Sequence, residues 1–259
     1  MSRLHHINCG TLLVPTYPTV VCHCLALQEG DEVVLVDTGI GLHDVRDPVG
    51  RLGQPLIDAA GFQFNEDDTA VKRLGSLGVD PEQVRHVVLT HADPDHAGGL
   101  ADFPNAEVHI AARELASVES GHWRYVANQF AHGPRWRTYG EGDIPTDWFG
   151  LPSWRVQTSL KTDIQLVPLP GHTLGHCGVA IQQGEGWLFH AGDAYYLRAE
   201  LTEPNHPVAA LATARADDDA LRVECLHHLR RIATGYAGEV EIFGYHDITE
   251  LPRHCVDWE

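Results

Sequence analysis

Apolar positions along the chain fall mostly into short runs. Residues 11–14 (TLLV), 20–27 (VVCHCLAL) and 32–36 (EVVLV) are rich in β-branched side chains, and turn formers bound them: Pro15 and Pro18, then Glu29-Gly30-Asp31, then Asp37-Thr38-Gly39. Such runs predict strands. Residues 41–65, rich in Gly, Pro and Asp, predict irregular chain. A helix is predicted over 66–77, where Leu74 and Leu77 share a face and Gly78 closes the pattern. Strands follow at 86–90 and 107–111, with a short helix starting near Ala97 and another over 112–119. Strands return at 164–169, 177–182 and 187–190. A helix over 217–233 carries Leu221, Cys225, Leu226, Leu229, Ile232 and Ala233 on one face, and a last strand is predicted at 239–243. Strands mixed with helices in two successive sets predict two sheets covered by helices, an α/β layered fold. No break in composition marks a linker, so residues 1–259 are expected to form one domain.

One stretch departs from this pattern. Residues 121–155 hold four of the six Trp, together with Tyr125, Phe130, Tyr139, Phe149 and four Arg, and show no clean period. The segment is expected to be an aromatic insertion or lid. It either walls a pocket for an acyl chain, with Arg124, Arg135 or Arg137 meeting an anionic group, or covers the core, or forms a homodimer contact.

Charge narrows the partners. Asp and Glu number 36 against 18 Lys and Arg, a formal charge of −18. That balance argues against a nucleic-acid partner, which needs clustered cations to release counterions, and against docking on an anionic membrane. A small-molecule substrate is the expected partner. There is no apolar run of transmembrane length, and MSRLHHINCG has no apolar core of a signal peptide. The six Cys are scattered, with no zinc-ribbon spacing, and read as reduced, mostly buried thiols of a cytoplasmic protein.

The chain holds 18 His, the residue type most used as metal ligand and as acid or base. The segment Thr90-His91-Ala92-Asp93-Pro94-Asp95-His96 sets four ligand-type side chains in a tight turn directly after an apolar strand. Strand ends are where layered α/β folds place ligands. A metal ion would remove the cost of burying those carboxylates together; the alternative is an ordinary polar turn with an Asp cap. Three later segments share this grammar: Gly171-His172-Thr173, Gly192-Asp193, and Gly244-Tyr245-His246-Asp247 each follow a predicted strand.

This set, with Val33–Gly39 (VVLVDTG), resembles the metallo-β-lactamase-fold hydrolases, whose signature is HxHxDH followed by a His, an Asp and a final His; the lactonase and glyoxalase II-like branches are the nearest in pattern. The resemblance spans about Thr11 to Asp247. It implies a four-layer αββα sandwich with a dinuclear metal site at one edge of the two sheets. His91, Asp93 and His172 would hold the first ion, Asp95, His96 and His246 the second, and Asp193 would bridge. A bridging hydroxide would attack a carbonyl-type substrate, a lactone or ester before a β-lactam or phosphoester, with Asp95 or Asp193 handling the proton. Tyr196 stands where lactonases of this superfamily carry a Tyr that meets the substrate; it either assists or packs against the sheet. Asp37 would orient a ligand His, and His176 would support rather than ligate.

The sequence departs from the signature at Asp93, where the family has His. Zinc is the ion the family implies. A third hard carboxylate favours iron or manganese, and flavodiiron proteins of this fold carry a Glu there. An iron dioxygenase or diiron reductase is therefore the alternative, and a non-catalytic ligand-binding module the third reading. If Asp93 is simply a ligand, Asp93→His is expected to keep the fold and shift the site toward zinc.

Overall fold

The computed structural model describes residues 2–140 and 142–255. Its first sheet has seven strands, ordered β4-β1-β2-β3-β5-β6-β7. These are β1 (Ser2–Leu12), β2 (Val20–Glu29), β3 (Glu32–Val36), β4 (Phe62–Gln63), β5 (Val84–Val88), β6 (Glu107–Ala111) and β7 (Arg135–Tyr139). The second has six, ordered β13-β12-β11-β10-β9-β8. They are β8 (Thr146–Trp148), β9 (Leu151–Arg155), β10 (Ile164–Pro168), β11 (Cys177–Gln183), β12 (Gly186–His190) and β13 (Val240–Phe243). From β3 to β7 the pairs are parallel, as is β12 with β13; the remaining pairs are antiparallel.

The apolar runs have a direct structural reason. In β3 every residue from Val33 to Val36 is buried. Val33 and Leu35 pack toward helices, while Val34 and Val36 pack toward the second sheet. A strand covered on both faces has no polar side to alternate with. The same holds on β11, where Val179 and Ile181 lie between the sheets and Ala180 faces outward. The inner core joins Leu25, Val34 and Val88 to Leu166, Val179 and Ile181. Outside the first sheet lie α1 (Leu42–Arg46), α2 (Pro48–Leu52), α3 (Gln54–Ala60), α4 (Ala70–Ser76), α5 (Pro94–Ala97) and α6 (Ala112–Glu119). Outside the second lies α8 (Asp219–Gly235), whose Leu226, Leu229 and Ile232 pack in one cluster with Phe189, Val240 and Ile242. Before it comes α7 (Ala209–Arg215). The architecture is the four-layer αββα sandwich.

Three segments differ from expectation. β1 begins at Ser2 rather than at residue 11 and pairs with β2 from Ser2 opposite Glu29 onward. Only its last two residues are covered by β4, so most of it is a sheet edge, where polar side chains are tolerated and the apolar signal is lost. Residues 41–65 hold three short helices, too short to show a period. Their Asp and Pro are caps and first-turn residues: Asp47 accepts from the Gly50 amide, and Pro48 and Pro55 open α2 and α3. Residues 135–155 supply β7 and β8, edge strands of the two sheets, and β9, which pairs with β8 and β10, so this part of the aromatic segment is built into the sandwich. Among the described residues no helix is long and apolar enough to cross a membrane.

Candidate metal centre

The ligand-type side chains leave four loops: those after β5, β12 and β13, and the turn joining β10 to β11. Asp37 ties the first of them down. It closes β3 in the left-handed region, at φ 55°, a conformation that Asp tolerates better than most residues. Its carboxylate accepts from the Thr90 amide and hydroxyl, both at 2.8 Å, and from His96 Nδ1 at 2.9 Å. That bond turns His96 Nε2 toward the centre. His246 is held likewise, its Nδ1 donating to the Val21 carbonyl at 3.0 Å. His176 does not face the centre. Its Nδ1 donates to the Leu169 carbonyl and its Nε2 accepts from the Asp193 amide, each at 3.0 Å. This contact depends on Gly192, at φ 55°, where a Cβ would lie 2.6 Å from His176 Nε2.

Glu114 carried no motif, yet it joins two of the loops. It accepts from the Ala92 amide at 2.9 Å, the Thr173 hydroxyl at 2.6 Å and the Tyr125 hydroxyl at 2.9 Å. Burial pushes its carboxyl up to about 7, against the pull of those donors. The sequence signal was absent because a helix position over 112–119 reads as solvent-facing.

The four loops bring all seven predicted ligand residues together. Asp193 lies at the middle: its carboxylate is 3.2 Å from His246 Nε2, 3.3 Å from His96 Nε2, 3.4 Å from His172 Nε2 and 4.0 Å from His91 Nε2. Asp95 lies 3.6 Å from His246 Nε2 and 4.0 Å from His96 Nε2. Within this cluster three groups have ligand atoms close enough to share an ion: His91, Asp93 and His172; His91, His96 and Asp193; Asp95, His96 and His246; a fourth group among the described residues, His86, Glu107 and His109, lies apart from it. Burial pushes the Asp193 carboxyl up, but the neighbouring His246 and His96 outweigh it and hold it well below the usual range. His91 Nε2, His96 Nε2 and Asp193 Oδ1 are buried without a hydrogen-bond partner. Such atoms are costly in a folded chain, and a cation among them would satisfy them. This side of the centre fits a metal ion.

The Asp93 side is different. Asp93 occupies the cap position of α5 but makes no capping bond. Its Oδ1 accepts from Arg124 Nε at 2.7 Å, and its Oδ2 lies 3.2 Å from His172 Nε2 and 3.5 Å from His91 Nε2. Arg124 is itself buried. Its Nη1 donates to the Arg215 carbonyl at 2.7 Å and lies 3.3 Å from Asp217, and its Nη2 is 2.9 Å from His172 Nε2. The sequence reading offered Arg124 to a substrate anion; the fold assigns it to Asp93. Arg135 and Arg137 lie on the edge strand β7, exposed, with Arg137 near Glu107.

A pocket opens onto this floor. Asp93, Asp95, Asp193, Tyr196 and His246 form its polar end. Leu12, Val20, Leu56, Phe62, Val208 and Leu211 form an apolar wall. Among the described residues none from 121–155 lines it: 135–155 are occupied in β7, β8 and β9, and Arg124 lies behind Asp93. The wall comes instead from the β1–β2 turn, α3 and α7, elements the sequence reading did not associate with the site. Arg215 is the pocket's arginine. The Tyr196 hydroxyl lies 3.4 Å from His172 Nδ1. Burial and the Asp193 charge push its phenol well above its ordinary value, so it remains a hydrogen-bond donor. Tyr195 faces away and donates to Glu250. His109 and His190 are buried and bonded to Tyr139 and to the His23 carbonyl, and His227 is exposed.

The sequence pattern of the metallo-beta-lactamase superfamily matches residues 17–232, and the chain belongs to that superfamily. It is 40% identical over 206 residues to a protein of Mycobacterium tuberculosis named probable metallo-hydrolase; the match covers 77% of this chain and 64% of that protein. The chain thus spans less than two thirds of that relative's length. An N-acyl homoserine lactonase of a Bacillus species is 25% identical over 238 residues, covering 91% of this chain and 84% of the lactonase. Among solved structures, an N-acyl homoserine lactone hydrolase with N-hexanoyl-L-homoserine bound at its catalytic metal centre superposes with a TM-score of 0.74, covering 95% of this chain and 94% of that one. At 20% identity that likeness is one of fold.

Proposed function

We propose that the chain is a metal-dependent hydrolase that opens a lactone or cleaves an ester bearing an apolar acyl group. The observation that carries this reading is the position of the ligand cluster, at the polar end of a pocket whose remaining wall is apolar. A divalent ion, zinc by family, would supply an activated water and polarise the carbonyl. Every other part falls to the chain. Asp95, His96, His246 and Asp193 would hold the ion, and the family pattern adds a second ion at His91, Asp93 and His172. Asp193 or Asp95 would take the proton of the attacking water. The Tyr196 hydroxyl would donate to the carbonyl or leaving oxygen, and the apolar wall would seat the acyl chain. Arg215, which lines the pocket, would meet the carboxylate released on ring opening. The lactonases among the relatives support the substrate class. Iron chemistry rested on Asp93 as a free hard ligand. Its pairing with Arg124 removes much of that motive.

The test is turnover by purified, metal-loaded protein on an N-acyl homoserine lactone, an aryl ester, a thioester and a phosphoester. Lactone or ester hydrolysis is expected, lost with chelator and restored by zinc. Oxygen consumption with an iron-loaded sample and no hydrolysis would replace this reading with the redox one.

A further inference from the structure

We propose that Arg124 takes the place of the first metal ion, so that this chain works with one ion and one fixed guanidinium where the family signature implies two ions. The inference rests on the metal-dependent reading above and concerns how many ions the centre holds.

The argument starts from lone pairs. A metal ion and an N–H compete for the same lone pair on an imidazole nitrogen. The guanidinium has donors only, so Nη2 at 2.9 Å from His172 Nε2 engages the lone pair that an ion at this position would need. Asp93 Oδ1 is engaged in the same way by Arg124 Nε at 2.7 Å. Two of the three ligands of the first position are thus already partnered by a cation. On the other side the opposite holds. His91 Nε2, His96 Nε2 and Asp193 Oδ1 are buried with no hydrogen-bond partner, and they form one of the candidate ligand groups. His96 is shared with the group that adds Asp95 and His246. The free atoms mark room for one ion there.

Arg124 cannot readily step aside. Its side chain is 1% exposed, and its third nitrogen is bound by the Arg215 carbonyl, with Asp217 at the rim. Swinging it out would break those bonds and leave Asp93 unpaired, while leaving it in place sets a second ion beside a positive charge. The guanidinium also supplies fixed positive charge beside a floor lined by three carboxylates, Asp93, Asp95 and Asp193, with Asp217 at its outer edge. The pairing also explains why the ligand that departs from the family signature is an acid: His at position 93 would leave Arg124 only Asp217 as counter-charge. Arg124 does not line the pocket, so it acts as a positioning residue, holding Asp93 and His172 and supplying fixed charge behind them.

The experiment is elemental analysis of full-length protein saturated with zinc and desalted. About one ion per chain is expected for the wild type and about two for Arg124→Met, with circular dichroism confirming that both are folded. Arg124→Lys, which keeps the charge, is expected to stay at about one. A second measurement needs no change at Arg124: His172→Ala is expected to retain one ion with unchanged zinc affinity, whereas His246→Ala loses it. Two ions in the wild type, one ion in both wild type and Arg124→Met, or loss of the ion from His172→Ala each overturns the proposal. Two ions together with lactone turnover would overturn this inference alone; no ion at all would also remove the metal-dependent reading beneath it.

Discussion

Asp93 shows how much a single residue's meaning depends on its neighbour. Read as a lone ligand, it can be exchanged for His. Paired with Arg124, both buried, it cannot. Removing one partner of a buried ion pair typically costs about 3–5 kcal/mol, because the other charge is left behind. Asp93→His is therefore expected to lose about 3 kcal/mol, near the lower end because Asp217 remains beside Arg124, and Asp93→His combined with Arg124→Met to recover most of it; urea denaturation measures both. Tyr196→Phe is expected to lower kcat roughly tenfold or more, with metal content unchanged, the loss of one proton donor; steady-state kinetics beside elemental analysis checks it. Glu114 gives a pH signature. Its carboxyl sits at about 7 in the folded chain against an ordinary 4.5. A carboxyl raised by folding favours the native state below its unfolded value. That contribution fades between pH 4.5 and about 7, by about 3 kcal/mol in all. Denaturation at intervals across that range should show the decline, and Glu114→Gln should flatten it.

At the scale of elements, legibility followed the source of the signal. β3 and the first five residues of β11 are buried on both faces and announced themselves as apolar runs, as did the end of β5 at Val87 and Val88. β6 and α6 fell within the expected bounds. α8 runs from Asp219 to Gly235, with Asp218 capping it through the Leu221 amide at 3.0 Å. Asp218→Ala is expected to cost about 1 kcal/mol, seen as a small drop in Tm with no change in metal content. The edge strands β1, β7 and β8 were missed or misread, since a strand with one neighbour and a solvated face carries no strong pattern. The aromatic segment therefore looked like an insertion, when its Trp148 packs beside Phe189 and closes the outer core of the second sheet.

Across the whole molecule, the inner core holds the two sheets in register and so sets the distance between the ligand loops. The loops after β5 belong to one sheet and those after β12 and β13 to the other. Leu166→Ala, deep in that core, is expected to cost about 2–5 kcal/mol through the cavity it leaves, with metal retained at low temperature; calorimetry and elemental analysis together separate stability from site.

Order and chemistry along the chain were determined by sequence alone: the strand-then-ligand grammar, the seven candidate ligands and the layered α/β class. Those features are local, written in runs of a few residues. Three things only the tertiary structure decided. Arg124 reaches Asp93 across 31 positions of chain and His172 across 48; Glu114 joins two loops; and the apolar wall is assembled from the β1–β2 turn, α3 and α7. Each depends on segments distant in sequence meeting in space. No local pattern records such a meeting, because the charge, the burial and the partner that give these residues their roles exist only once the sheets have packed.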